Sequence, residues 1–226
     1  LLENASTGER QAACEALGDL QHESATELLR SWLLRLDDGG VPAAVQLDLY
    51  EASRKHEALR DIVDARQARA AEESPLGAYQ ACLEGGDPRE GRRVFYDVEA
   101  VRCTRCHTLR GTGGNAGPVL DDVGQRLSRE VLLEALIMPS ARIAEGFTTT
   151  TMELTDSSVL SGVITREQDG QVTIVDINGK STNVLETKIR SRQAEKQSAM
   201  PKMGDALSKR QIRDLIAFLK KQKKKS

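Results

Sequence analysis

The sequence is short of aromatic rings, of long apolar runs and of histidine. One Trp, three Tyr and three Phe among 226 residues leave part of the interior to be filled by something other than aromatic side chains, such as a bound group. No apolar run approaches the roughly 18 residues of a transmembrane helix, so we expect no transmembrane segment. The start, LLENASTGER, has neither the basic nor the apolar region of a signal peptide, and we expect it to belong to a longer chain.

Charge is nearly balanced overall but uneven along the chain. Residues 1–90 hold 9 Lys and Arg against 18 Asp and Glu, whereas residues 202–226 hold 9 against 2. The acidic first part argues against a nucleic-acid surface, which needs clustered basic side chains. Only three His are present, and no paired carboxylates, Ser/His/Asp pattern or phosphate loop stands out. The residues therefore offer no catalytic constellation.

The first 86 residues contain only helix signals. Ser6 with Glu9, and Ser24 with Glu27, form S-x-x-E capping boxes ahead of apolar residues at helical spacing. Short helices in pairs, with brief connections, resemble the end of a HEAT-type helical solenoid, whose repeats bury their faces by stacking. We therefore expect a HEAT-like helical segment over residues 1–86.

The pattern changes twice after a pair of glycines at positions 85 and 86. Asp87 is placed to cap a new helix with Pro88 at its first position. Residues 147–190 are then rich in Thr, Val and Ile, and Asp169-Gly170 and Asn178-Gly179 are hairpin turns between alternating runs. These signals predict four or five short antiparallel strands, curled into a small barrel.

The stretch that carries chemistry is Cys103-Thr104-Arg105-Cys106-His107. Two thiols three positions apart on one turn can add to the two vinyl groups of one porphyrin edge, and the His that follows can reach the iron. C-x-x-C-H is accordingly a signature of covalent c-type haem attachment. Three other interpretations stay open: a thioredoxin-like dithiol, which needs a βαβ context, a zinc site, which needs a second ligand pair, and chance.

The surroundings of this motif resemble the class I cytochrome c family. Gly91 and Phe95 stand in the G-x-x-x-[FY] pattern of that family's N-terminal helix, and Phe218 matches the aromatic residue of its C-terminal partner helix. Gly117-Pro118 follows the motif, and Met200-Pro201 precedes the last helix. The resemblance implies one haem c on both motif cysteines. It also implies that the Pro118 carbonyl accepts the ring N–H of His107, and that His107 and Met200 are the iron ligands.

The order of segments narrows the resemblance to one subgroup. The run PSARIAEGF, the strand-rich stretch, SAMP and a final DLIAFL helix are similar to the haem-binding C-terminal domain of planctomycete- and verrucomicrobial-type multidomain proteins. The fold that this implies is mainly α: HEAT-like helices over 1–86, then a cytochrome c fold over 87–226. A small antiparallel, barrel-like β insertion over 147–190 interrupts the second domain.

Four methionines compete for the sixth iron position. Met200 is favoured because Pro201 stiffens its loop, and Met203 is the main rival. Met138, at a helix end, is read as packing, the commoner use of methionine, and Met152 lies in a strand, where the alternation decides which face it occupies. The two remaining cysteines, Cys14 and Cys82, are read as buried helix residues, and whether they pair stays open.

Three functions are compatible with these features. The favoured one is an electron-transfer module and not an enzyme, serving as the C-terminal acceptor of a larger dehydrogenase-like protein, with a linked dehydrogenase domain or a redox protein as partner. The first alternative is a haem-based gas sensor or peroxidase-like enzyme with an open sixth position. The second is a protein-interaction role for the helices or the barrel. By resemblance, covalent haem implies a periplasmic or otherwise extracytoplasmic location.

Overall fold

The computed structural model describes residues 5–224, so the first four residues of the LLENASTGER start lie outside it. The helices are α1 (Thr7–Asp19), α2 (Glu23–Leu34), α3 (Ala43–Arg54), α4 (Glu57–Glu73), α5 (Pro88–Asp97), α6 (Val123–Arg126), α7 (Arg129–Ile137) and α8 (Lys209–Lys220). The strands are β1 (Thr108–Leu109), β2 (Thr112–Gly113), β3 (Thr148–Leu154), β4 (Val159–Gln168), β5 (Gln171–Val175), β6 (Ser181–Leu185) and β7 (Ile189–Ser198). Over the described range, none of the helices combines the length and the apolar character needed to cross a bilayer.

Helices α1 to α4 form the N-terminal helical unit. Its first predicted capping box is confirmed, because the Ser6 side chain accepts from the Glu9 N–H and the Glu9 carboxylate accepts from the Ser6 N–H. The second predicted box is wrong: α2 begins at Glu23, and the His22 imidazole, one position ahead of it, accepts from the Ser24 N–H. The unit has its own core of buried side chains, which includes Cys14, Leu29, Leu33, Val45, Leu49, Leu59 and Val63.

Helices α5 and α8 cross at close range. Asp87 caps α5 as predicted. An added Cβ on Gly91 would lie 1.9 Å from the carbonyl oxygen of Asp214 and 2.7 Å from the Cβ of Phe218, so only glycine permits this approach. The rings of Phe95 and Phe218 pack with their centroids 5.6 Å apart. With α7, these helices enclose a second core that includes Val94, Leu133, Leu136, Ile212, Leu215 and Ile216.

Strands β3 to β7 form one antiparallel sheet in the spatial order β6-β5-β4-β3-β7, and β1 and β2 form a separate ribbon. Asp169-Gly170 joins β4 to β5 and Asn178-Gly179 lies between β5 and β6, both as predicted, with φ values of +70° at Gly170 and +78° at Gly179. Because side chains alternate along a strand, the sheet packs on two sides. One side carries the cluster of Met152, Val172 and Ile174, and the other packs Val163 and Val175 against Ala116 and Cys106.

The predicted fold class, a mainly α chain in which a cytochrome c fold is interrupted by a barrel-like insertion, is wrong. Helix makes up 47% and strand 19% of the structure. In the strand order β6 and β7 are the two edges and do not pair with each other, so the hydrogen-bonded sheet does not close into a barrel. The physical reason lies in the short 3₁₀ turn at Glu186–Lys188 that joins these two strands. Its backbone groups bond to Gly170 and Thr155, so β6 and β7 each continue along their own neighbouring strand and do not pair with each other.

Charged side chains join the N-terminal helical unit to α8. Nη1 of Arg213 lies 2.6 Å from Oδ2 of Asp48, and both side chains are buried. Arg210 pairs with Asp48 and with Glu51 at the more exposed edge. Helix α8 is therefore held by α5 on one side and by α3 on another.

Candidate functional site

The C-x-x-C-H motif forms a single tight turn. Cys103–Arg105 is a 3₁₀ helix, and the His107 N–H closes the turn on the Cys103 carbonyl at 2.9 Å. This turn places both thiols on the chain directly ahead of the imidazole. Both thiols are half-buried, and that burial raises their pKa values, that of Cys103 to about 11. The two thiols are therefore protonated at neutral pH.

The glycine-rich loop after the motif folds back onto it. The Gly114 N–H donates to the Thr104 carbonyl at 2.9 Å, and the Gly117 N–H donates to the Cys106 carbonyl at 2.8 Å. An added Cβ on Gly114 would lie 1.9 Å from the Arg105 carbonyl oxygen. The loop is rich in glycine because two backbones lie in direct contact here.

The imidazole of His107 is held in one orientation. Its Nδ1 lies 2.9 Å from the Pro118 carbonyl oxygen, and because a carbonyl only accepts, Nδ1 carries the proton. Gly117 packs against the ring, where an added Cβ would lie 2.7 Å from Cε1 and 2.8 Å from Nδ1. Burial lowers the pKa of His107, although its bond to Pro118 opposes this. The ring is therefore neutral at neutral pH, with its lone pair on Nε2.

One cavity of about 480 Å³ collects the residues that the sequence singled out. Cys103, Cys106, His107, Pro118 and Met200 all line it, as does Met203. Its size falls in the range of roughly 300–1,000 Å³ that is typical of small-molecule and cofactor sites. Its other walls are mainly apolar and include Val101, Leu120, Val123, Leu132, Leu136 and Leu219.

The sheet explains how Met200 lines the same cavity as His107, although the two residues are 93 positions apart in the sequence. Strand β3 leaves the region after Phe147, and β7 returns beside it, with Thr148 opposite Ser198. The chain therefore comes back to the place that it left. Residues 198–201 then form part of the cavity wall.

Both candidate methionines lie at the cavity, and the other two do not. Met203 is buried at the start of a 3₁₀ turn, whereas Met200 is only half-buried. Met138 packs against the helical core and Met152 is fully buried in the sheet. Cys14 and Cys82 lie buried in the helical region as free thiols, and among residues 5–224 no two thiols are joined.

Sequence reasoning missed the contribution of the sheet to the cavity. Phe147, just ahead of β3, lines it, as do Ile177 and Asn178 in the β5–β6 turn. An added Cβ on Gly179 would lie 3.3 Å from the Arg105 carbonyl oxygen, so this turn touches the motif itself. The Asn-Gly pair indicates a hairpin turn, but nothing local to it indicates what the turn packs against.

Four arginines also reach the cavity, and each is paired with a carboxylate. Arg102 and Arg105 share Glu99, Arg126 pairs with Asp122 at 2.7 Å, and Arg142 pairs with Glu134 at 3.5 Å. These pairs are partly exposed, so each contributes little to stability, about 0–1 kcal/mol. The guanidinium groups are therefore available to anionic groups of an occupant at small cost.

The geometry weighs against two of the interpretations left open by the sequence. A reactive dithiol needs a thiolate, which requires a lowered thiol pKa, and here both values are raised. A zinc site needs about four N, S or O ligands, and in the part of the chain that the structure describes no three His, Cys, Asp or Glu side chains group to hold a metal.

A comparison of the sequence with models of protein families and with curated proteins found no match.

Proposed function

We propose that this chain is a monohaem electron-transfer module with a covalently attached c-type haem. The observation that carries the proposal is that one mainly apolar cavity is lined by two adjacent thiols, by an imidazole of fixed tautomer and by a methionine that arrives from a distant segment. A bound haem would supply one-electron exchange between ferric and ferrous iron.

Each residue then has a definite part in holding the group. The thiols of Cys103 and Cys106 would add across the two vinyl groups, so that each sulfur bonds one vinyl carbon, its proton goes to the other, and nothing leaves. His107 would donate its Nε2 lone pair to the iron, because Pro118 keeps the proton on Nδ1. Met200 would be the second protein ligand of the iron, and its thioether would raise the reduction potential.

The proposal extends to partners and location. The resemblance of these residues to class I cytochromes c supports a linked dehydrogenase domain or a docked redox protein as the electron donor. It also supports an extracytoplasmic location, where haem of this type is attached. The mechanism requires of the protein only that it bind, bury and orient the haem, and the residues of the cavity wall would do this.

The first test is a visible spectrum and an intact mass of the full chain, produced in a host that attaches c-type haem. We expect a denatured mass raised by one haem and a reduced low-spin spectrum that carbon monoxide does not change. Replacing both Cys103 and Cys106 by Ala should abolish the mass increase, whereas Cys82→Ala, a buried thiol outside the cavity, should keep it.

The other outcomes are equally clear. A covalent haem that binds carbon monoxide readily would favour the gas-sensor or peroxidase-like alternative and would remove Met200 from its proposed role. A parent protein without haem from a competent host would overturn the proposal. Met200→Ala should open the iron to carbon monoxide, and Met203→Ala, at the rival position, should not.

A further inference from the structure

Two serines connect Met200 to the loop that follows α7. The Ser198 side-chain oxygen accepts from the Met200 N–H at 3.1 Å. The Ser198 N–H in turn donates to the side-chain oxygen of Ser140 at 3.1 Å. The backbone that presents Met200 is thus fixed through two hydrogen bonds in series.

These bonds stand where the sheet stops supporting the chain. Thr148, the first residue of β3, and Ser198, the last residue of β7, form the terminal pair of their ladder. The pairing is irregular between Thr148 and Thr150. Beyond a strand end, backbone groups need side-chain or turn partners in place of the ladder. Ser198 and Ser140 supply such partners one step before the methionine.

The far end of the series, the exposed Ser140, directly follows a buried residue next to α7. Ser140 follows Pro139, which is buried and lines the cavity directly after α7. Helix α7 packs in the main core through Leu133 and Leu136. Through Ser198 and Ser140, the backbone of Met200 is therefore connected to the end of α7, a helix that forms part of the cavity wall.

We propose that Ser198, anchored by Ser140, is a positioning residue that holds Met200 toward the iron; this inference rests on the proposed function. A methionine has three rotatable side-chain bonds and adapts to its surroundings. Its sulfur therefore stays at one place only if its own backbone is fixed. Ser198 does not touch the haem in this proposal and acts only through Met200.

The test compares serine variants of the haem-loaded full chain. Ser198→Ala removes the acceptor of the Met200 N–H, Ser140→Ala removes the acceptor of the Ser198 N–H, and Ser198→Thr keeps a hydroxyl. Ser191→Ala is the matched control, because Ser191 lies on the same strand, is exposed and does not line the cavity.

We expect both alanine variants at positions 198 and 140 to raise the apparent affinity of the reduced protein for carbon monoxide about two- to tenfold, the factor that one net hydrogen bond represents. The midpoint potential should fall, because methionine ligation raises it. Ser198→Thr should restore both values, and Ser191→Ala should leave them unchanged. Amide exchange at Met200 should become faster in Ser198→Ala, which verifies that the bond was removed.

Each contrary result has a separate meaning. If Met200→Ala opens the site but Ser198→Ala, with faster amide exchange at Met200, behaves as the parent, the positioning role is wrong and the haem assignment stands. If Ser191→Ala has the same effect as Ser198→Ala, the effect belongs to the strand as a whole and the inference falls. If the parent carries no covalent haem, the proposed function fails and this inference fails with it.

Discussion

Replacing Gly117 by Ala tests the idea that a glycine fixes the histidine ring without bonding to it. The new Cβ would lie 2.7 Å from Cε1 and 2.8 Å from Nδ1 of His107, both closer than real Cβ contacts, and 3.1 Å from Nε2, which is tighter than most. The neighbour in conflict is a ring whose Nδ1 is already engaged by the Pro118 carbonyl. The ring must therefore turn or shift, and its hydrogen bond must lengthen or break.

The magnitude follows from three opposing contributions. Overpacking of a tight site costs about 1–3 kcal/mol, and loss of one buried hydrogen bond costs about 1 kcal/mol. Replacing Gly by Ala also restricts the unfolded chain, which stabilises by roughly 0.4–1 kcal/mol. We expect a net loss of about 1–3 kcal/mol in the free energy of unfolding.

Urea unfolding followed by circular dichroism measures this loss. The matched control is Gly8→Ala, the same change in α1 at a position with nothing within 4 Å of the added Cβ, which should be neutral or stabilising. The ring N–H resonance of His107 provides a second measurement, and it should move in Gly117→Ala alone. An unfolding midpoint for Gly117→Ala equal to that of the parent would refute the argument.

Three further changes test other parts of the structure. Gly91→Ala should cost more than Gly117→Ala, because the added Cβ meets the carbonyl oxygen of Asp214 in the α8 backbone and not a movable ring; an unfolding midpoint equal to the parent's would contradict the close helix crossing. Asp48→Asn should lose up to about 3–5 kcal/mol in urea unfolding, since it leaves the buried Arg213 with only the more distant carboxylate of Asp214, at 3.9 Å, and a loss under 1 kcal/mol would contradict the importance of the buried pair. Cys14 and Cys82, whose pKa values burial raises to about 12, should resist iodoacetamide at pH 8 until the protein is unfolded, and modification of the native protein, read by mass, would show otherwise.

The features that the sequence predicted correctly are those written in a few adjacent residues. The capping box at Ser6, the cap at Asp87 and the hairpin turns at Asp169 and Asn178 all depend on contacts within about four positions. The turn at Cys103 has the same local character, because its closing bond joins residues 103 and 107. Such signals predict the structure reliably because they do not depend on contacts with distant parts of the chain.

The features that it missed depend on which distant segments meet. Ser24 carries a valid S-x-x-E signal, yet the imidazole of His22 caps the helix instead. His56, 30 positions after Thr26, also contacts the Thr26 hydroxyl in the first turn of the helix, at 2.8 Å. The same limit explains the sheet. Alternation predicts strands, but the order of strands, and hence whether the edges pair, follows from long-range packing that alternation does not encode. The contact between the β5–β6 turn and Arg105 is of this kind.

Besides lining the cavity, the sheet lowers the entropy cost of bringing two distant segments of the chain together at the cavity wall. If residues 148–198 were a flexible loop, bringing their ends together would cost about 3.5 kcal/mol for about 50 residues. Pairing of β3 with β7, supported by the buried cluster around Met152, offsets that cost within the sheet itself. Strand pairing therefore positions the chain as far as Ser198. Only the segment from Ser198 to Met200 has to be held by side-chain hydrogen bonds. A long separation in sequence between His107 and Met200 thus adds little to the cost of keeping both at one site, because the pairing of β3 with β7 brings the two ends of the intervening chain together.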